Sequence, residues 1–189
     1  MRVSREQAAQ NRERIVETAS RLFREKGYDG IGVADLMKCA GLTHGGFYGH
    51  FASKEDLLAE AFGKAMQGSA EKWRTLLAAA PANPRAALAH MYLTAKHRDN
   101  PGGGCALAAL GPDVSRVGPE VRQAMADSFQ SQIAALAQAL PGAPAQQRRA
   151  AITTYAAMVG ALVLARAVAD RKQSDEILAA VLATLEQGS

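Results

Sequence analysis

Hydrophobic positions recur along the chain at helical spacing, and short polar or glycine–proline stretches punctuate them. Ile15, Ala19, Leu22 and Phe23 mark one face of a first helix from about Ser4 to Lys26, with Gly27 as its stop. "YDGIG" reads as a turn. Val33 to Cys39 forms a short second helix with Leu36 and Met37 inward, and Gly41 suits a left-handed turn. Thr43 stands where an N-cap belongs, opening a third helix to about His50. Ser53, with Asp56 three residues on, begins a fourth in a capping-box arrangement. Leu57, Leu58, Ala61, Phe62, Ala65 and Met66 form its buried stripe, and it extends to about Leu77.

Beyond "AAAPANP", which breaks the chain, the spacing predicts a helix from Arg85 to His97, a flexible loop "DNPGGGC" and a short helix near Cys105. "GPDVSRVGP" reads as another loop, with Pro119 in a first helical turn. Val121, Met125, Phe129, Ile133, Leu136 and Leu140 define the next long helix, ended by "PGAPA". Two more follow, about Gln146 to Ala169 and Asp175 to Leu185, the last opened by Ser174, Asp175 and Glu176. The expected fold is all-α, with about nine helices and no internal repeat; few segments alternate as strands do.

Composition narrows the function classes. The 189 residues are 48% hydrophobic and 21% charged, enough for a substantial core. Cys39 and Cys105 are too few for a disulfide framework. The polar start, "MRVSREQAAQNRER", is unlike a signal peptide, and "AAMVGALVLA" is about half the length of a membrane span. A cytoplasmic protein without membrane contact is expected. The net charge of +4 hints at an acidic partner, but Met1 to Glu60 carries as many acids as bases. Local distribution says more. No acid lies between Leu36 and Lys54, and Arg2, Arg5, Arg12, Arg14, Arg21 and Arg24 make the first segment basic.

The stretch "AGLTHGGFYGHF", Ala40 to Phe51, sharpens the picture. Three glycines sit in one short helix, each costing about 1 kcal/mol against alanine. A short helix, a turn at Gly41 and a capped second helix make a helix-turn-helix over about residues 33–51, with Leu36, Ala40, Leu42 and Phe47 as its small core. In this motif the second helix enters the DNA major groove, where glycine removes bulk at a close approach. Other readings are a plain loop, a phosphate cradle or a metal site at His44 and His50. The stretch lacks the GxxxxGK[ST] pattern of a P-loop, and no cysteine or carboxylate joins the histidines at ligand spacing, so no metal and no cofactor is expected.

"RIVETASRLFREKGYDG" and "VADLMKCAGLTHGGFYGHFASKEDLL" together resemble the TetR/AcrR family of one-component bacterial transcriptional repressors over about Arg12 to Met66. The resemblance implies a DNA-binding domain at 1–53 and a ligand-binding and dimerisation domain at 54–189. It implies base or phosphate contacts from Thr43, His44, Gly45 and Gly46, and phosphate contacts from Tyr48, His50 and Lys54. Gly32, Ala34 and Gly49 depart from the family pattern, which usually has a capping Ser or Thr, a polar or basic residue and a larger polar residue there.

In the body, Ala156, Ala157, Gly160, Ala161 and Ala165 allow close helix approach. With Ile177, Val181 and Leu185 they favour a homodimer through the last two helices as a four-helix bundle. Candidate ligand contacts are Met66, Trp73, Tyr92, Cys105, Met125, Phe129, Tyr155 and Met158, an apolar set that suggests a hydrophobic or aromatic effector. Cys105 follows "PGGG" at a helix start, a setting that favours thiolate and reactivity, and relatives that sense electrophiles or oxidants look similar here. It is a candidate redox or electrophile sensor, or a buried small residue. The expected function is a repressor released from a pseudo-palindromic operator on double-stranded DNA by a small apolar or electrophilic effector. The alternatives are an activator of the same fold and a cysteine-dependent enzyme using His90 or His97 as base; the chain is not expected to be an enzyme.

Overall fold

A computed structural model describes residues 4–79 and 81–187. Arg2, the first three residues of the expected 1–53 domain, and Ala80 in "AAAPANP" lie outside them. The described residues form nine α-helices and two 3-10 turns, with no strand among them. The helices are α1 (Arg5–Lys26), α2 (Val33–Cys39), α3 (Lys54–Ala78), α4 (Pro84–Tyr92), α5 (Ala95–Asp99), α6 (Ala106–Val114), α7 (Pro119–Ala139), α8 (Pro144–Ala167) and α9 (Arg171–Gln187). The 3-10 turns are His44–Gly49 and Pro101–Gly103.

Local chemistry sets the first half. The Ser4 hydroxyl accepts from Gln7 N–H at 3.1 Å to open α1, and Gly27 closes it with φ +77°. Gly41, at φ +70°, makes the turn after α2. Ser53 and Asp56 form the reciprocal capping box of α3, at 3.0 and 3.1 Å. Ile15, Phe23, Leu36, Met37, Phe47, Phe51, Leu57 and Phe62 fuse α1, α2, the first 3-10 turn and the start of α3 into one core, which Leu110 and Val114 of α6 also enter. A second core gathers Trp73, Leu88, Ile133, Leu136, Tyr155, Met158, Leu162 and Leu178. α3 runs through both, packing along α1 and α7.

The structure corrects several sequence expectations. The third helix is a 3-10 turn, held by i→i+3 bonds such as Gly46 N–H to Thr43 O at 3.0 Å, as suits a glycine-rich segment too short to propagate an α-helix. The Thr43 side chain caps nothing. The helix expected over Arg85 to His97 breaks at Leu93, because the Thr94 hydroxyl accepts from His97 N–H at 3.1 Å and starts α5. "DNPGGGC" is a packed turn, not a flexible loop: a Cβ on Gly104 would lie 2.8 Å from the His97 ring. The predicted loop over "GPDVSRVGP" is helical through Val114, despite Pro112. Val114 is fully buried, and Asp113 accepts from Tyr28 N–H at 3.2 Å. α9 starts four residues earlier than expected. Asp170 accepts from Gln173 N–H at 2.9 Å, while Ser174 is buried, donating to Ala165 O at 2.6 Å. α8 is longer than the apolar run read from sequence, and by length and composition alone it could cross a membrane. Its buried face, including Thr154, Tyr155, Met158 and Leu162, makes it a core helix.

Candidate functional site

The 3-10 turn His44–Gly49 presents a surface built by its neighbours. Phe47 points inward, 1% exposed, and its ring lies 5.6 Å from that of Phe51. Burying these two rings stabilises the turn by about 1.5–3 kcal/mol each, which offsets the glycine penalty. That anchoring leaves Thr43, His44, Gly45, Gly46, Tyr48 and Gly49 exposed; Tyr48 is 68% exposed, with its ring edge-on to His44 and to Phe47. His50 is half-buried beside Phe51.

None of the three glycines has positive φ, and a Cβ built on Gly45 or Gly49 meets nothing within 4 Å. Gly46 would make only ordinary contacts, 3.7 Å to Thr43 and 3.8 Å to Met37. Neither backbone conformation nor internal packing therefore requires glycine here. α2 has Gly32 at its N-cap and no side-chain cap, leaving first-turn N–H groups unspent.

Lys54 adjoins this surface but turns inward. Its ammonium donates to Tyr28 O at 2.6 Å and lies 4.2 Å from the centre of the Tyr28 ring. Burial pulls its pKa down, opposed by Asp29. Arg12 is held by both oxygens of Glu60 and lies 4.6 Å from the centre of the Phe51 ring, tying α1 to α3.

A second feature is a cleft of about 860 Å³ between α1, α3, α4–α5 and the glycine turn. Of the predicted ligand contacts, Trp73, Tyr92 and Cys105 line it; Met66, Met125, Phe129, Tyr155 and Met158 do not. Met66 belongs to the first core, and Phe129 stacks on Tyr155 at 5.4 Å inside the second. The lining also departs from the expected apolar character: Arg21, Arg24, Lys64, Lys72 and Lys96 face it, with Glu17 the one carboxylate among the described lining residues.

Cys105 sits at the cleft floor, 4% exposed, as the N-cap of α6. Its N–H donates to His97 Nε2 at 2.9 Å, and His97 Nδ1 donates to Tyr92 O at 2.7 Å. These two bonds fix one neutral tautomer of the imidazole. Burial is the main cause that pulls the His97 pKa below its usual value, opposed by the Tyr92 carbonyl and aided by Arg166 and Lys72. Arg24 and Arg166 are near enough to feel a charge on Cys105, and burial pulls both of their pKa values down. Arg24 Nη1 donates to Gly104 O at 2.7 Å, so α1 is bonded to the residue before the cysteine. The Tyr92 hydroxyl is buried with only the Cys105 thiol beside it, and burial first, then the thiol, pushes the phenol pKa up.

Arg98 leads away from the cysteine. It is buried, bonded to Ser174 Oγ at 2.9 Å, Asp99 at 2.8 Å and Asp175, and Arg171 completes the cluster on Asp99 at 2.7 Å. Arg98 first, then Arg171, holds Asp99 below the usual carboxylate range. The segment before Cys105 is thereby clamped to α9. Sequence reasoning missed the His97–Cys105 bond, the cationic cleft and this clamp. Each joins side chains across a bend or between helices far apart in the chain, where no periodicity reports.

Residues 15–61 match the family described as "Bacterial regulatory proteins, tetR family". The HTH-type transcriptional repressor NemR of Escherichia coli is 30% identical over 137 residues, 68% of this chain and 66% of that protein. The regulator AcrR of Shigella flexneri is 36% identical over 59 residues, 31% of this chain and 27% of that one. These matches thus span about a quarter of AcrR and just under two thirds of NemR. Among solved structures, the reduced form of E. coli NemR superimposes with a TM-score of 0.77 at 26% identity, covering 94% of this chain and 95% of that one. A TetR-family regulator from Cytophaga hutchinsonii shares the fold, with a TM-score of 0.79 at 21% identity over 98% and 97% of the two chains. With its helix-turn-helix matched in sequence and its helical body matched in shape, the chain belongs to the TetR family of bacterial transcriptional regulators.

Proposed function

We propose that the protein is a one-component transcriptional repressor that binds a pseudo-palindromic operator as a homodimer and lets go when its body is occupied or modified. The observation that carries this reading is the pair of bare glycines. Gly45 and Gly49 cost helix stability, and nothing inside the protein needs them. A surface that must lie close against the turn from outside does, and a major groove is such a surface. In this reading residues 1–53 form the DNA-binding unit and 54–189 the body. Thr43, His44, Gly45 and Gly46 meet base edges and nearby phosphates, and Tyr48 and His50 meet phosphates. Lys54 contributes mainly by fixing Tyr28, with its remaining N–H donors for a phosphate. Operator binding places the protein in the bacterial cytoplasm. That NemR is named a repressor favours repression over activation.

Release follows a population shift: the effector acts only through its different affinity for the DNA-binding and non-binding states. Cys105 is the proposed sensor. It starts a helix with Arg24 and Arg166 close by, and it follows the turn that holds α1.

The test is a band shift with purified protein and the DNA upstream of its own gene, titrated over salt. Retardation at nanomolar protein that resists competitor and weakens with salt is expected. Alkylation of the wild type is expected to release the DNA, and Cys105→Ser is expected to bind DNA but ignore the alkylating agent. Operator sequences selected from genomic fragments that bind no better than random DNA would sink the repressor reading. An alkylation response that survives Cys105→Ser would sink the sensor.

A further inference from the structure

The charge pattern of the cleft is not explained by DNA reading or by the thiol. Among the described residues, five cationic side chains face it against Glu17 alone. Arg21 and Lys64 are partly committed, to Glu25 at 3.0 Å and Glu13 at 3.2 Å. Lys72 and Lys96, both exposed, form no ion pair among the described residues. The floor is of another kind. Trp73, Tyr92 and Cys105 are each at most 4% exposed, and the buried Tyr92 hydroxyl has only the Cys105 thiol beside it. Like charges around a concave wall concentrate counter-ions, and a space of this size suits a small organic molecule.

We propose that this cleft binds a small organic anion. Its acidic group lies among Lys72, Lys96 and Arg24, and its apolar body lies against Trp73 and Tyr92. One wall is α1, which carries the DNA-binding unit, and the others belong to the body, so occupancy sets α1 against the body. The regulatory part of this proposal rests on the repressor reading; the binding part does not.

Trp73 is the only tryptophan, so its emission reports the cleft without a label. The probe is 4-phenylbutyrate, compared with its neutral amide, 4-phenylbutyramide. The carboxylate is expected to change Trp73 emission saturably, with at least about tenfold higher affinity than the amide and with an affinity that falls as salt rises. Lys72→Gln with Lys96→Gln is expected to weaken the carboxylate about tenfold and leave the amide unchanged. Equal affinity for acid and amide, an unchanged double variant, or no saturable response to the acid would each overturn the proposal. The operator band shift, run without probe, keeps the readings apart. DNA binding with no probe binding defeats only the anion site, and probe binding with no DNA binding defeats only the repressor reading.

Discussion

His97 is the residue on which the cleft floor turns. Its ring accepts from Cys105 N–H and donates to Tyr92 O, a pair of bonds available only to the neutral form. Its folded pKa lies below the ordinary 6.5, so the unfolded chain binds the proton more readily. Stability is therefore full above about pH 6.5 and declines as pH falls from there through the lower folded value. Thermal melts between pH 7.5 and 5.5 should show this decline, and His97→Gln should flatten it; parallel slopes for both proteins would disprove the assignment. The sequence did place Cys105 at a helix start, because "PGGG" and an apolar run flank it. It could not show what holds the cysteine. The contact exists only because the chain bends at Leu93 and Thr94, and the periodicity from Arg85 onward runs through that bend unbroken.

Among the elements, those with strong end signals were the most legible. Ser4, Gly27, Gly41 and the Ser53–Asp56 box fixed α1, α2 and α3 to within a residue, since caps act through neighbours in sequence. α9 was misplaced because Ser174 looks like a cap but is needed as the buried partner of Arg98, a tertiary role. The glycine-rich turn was legible as the second half of a helix-turn-helix yet misread as an α-helix. Its free surface gives a direct test. Gly45→Ala with Gly49→Ala fits the backbone and the space, so each change should stabilise the fold by about 0.4–1 kcal/mol. Melting should rise by about 2–4 °C per kcal/mol gained. Operator affinity should fall at least about tenfold. A double variant that is more stable and still binds DNA fully would show that the glycines serve no approaching surface.

For the whole molecule, the proposed homodimer would place its second copy on the exposed apolar positions of α8. Ile152, Val163 and Leu164 on α8 are exposed, Leu164 at 58%, and Ala156 lies on the same helix. Ala161, Ala165 and Leu185, read from sequence as close-approach or interface positions, are buried within the chain. Small residues fall on both the buried and the exposed faces of α8, and spacing alone could not divide them. Val163→Glu with Leu164→Glu should halve the mass seen by light scattering and cost about a hundredfold in operator affinity, because paired half-sites need a paired protein. A dimer that persists would put the interface elsewhere.

The bond from Arg24 to Gly104 gives α1 a mechanical character. α1 is a rod of 22 residues, about 33 Å long, pinned near one end to the turn that precedes Cys105. A lever of that length, tilted by about 5° at its fulcrum, moves its far end by about 3 Å, close to the roughly 3.4 Å step between neighbouring base pairs. On the proposed repressor reading, a tilt of α1 begun at the cysteine would carry the helix-turn-helix packed against it by a fraction of that step, without repacking either core.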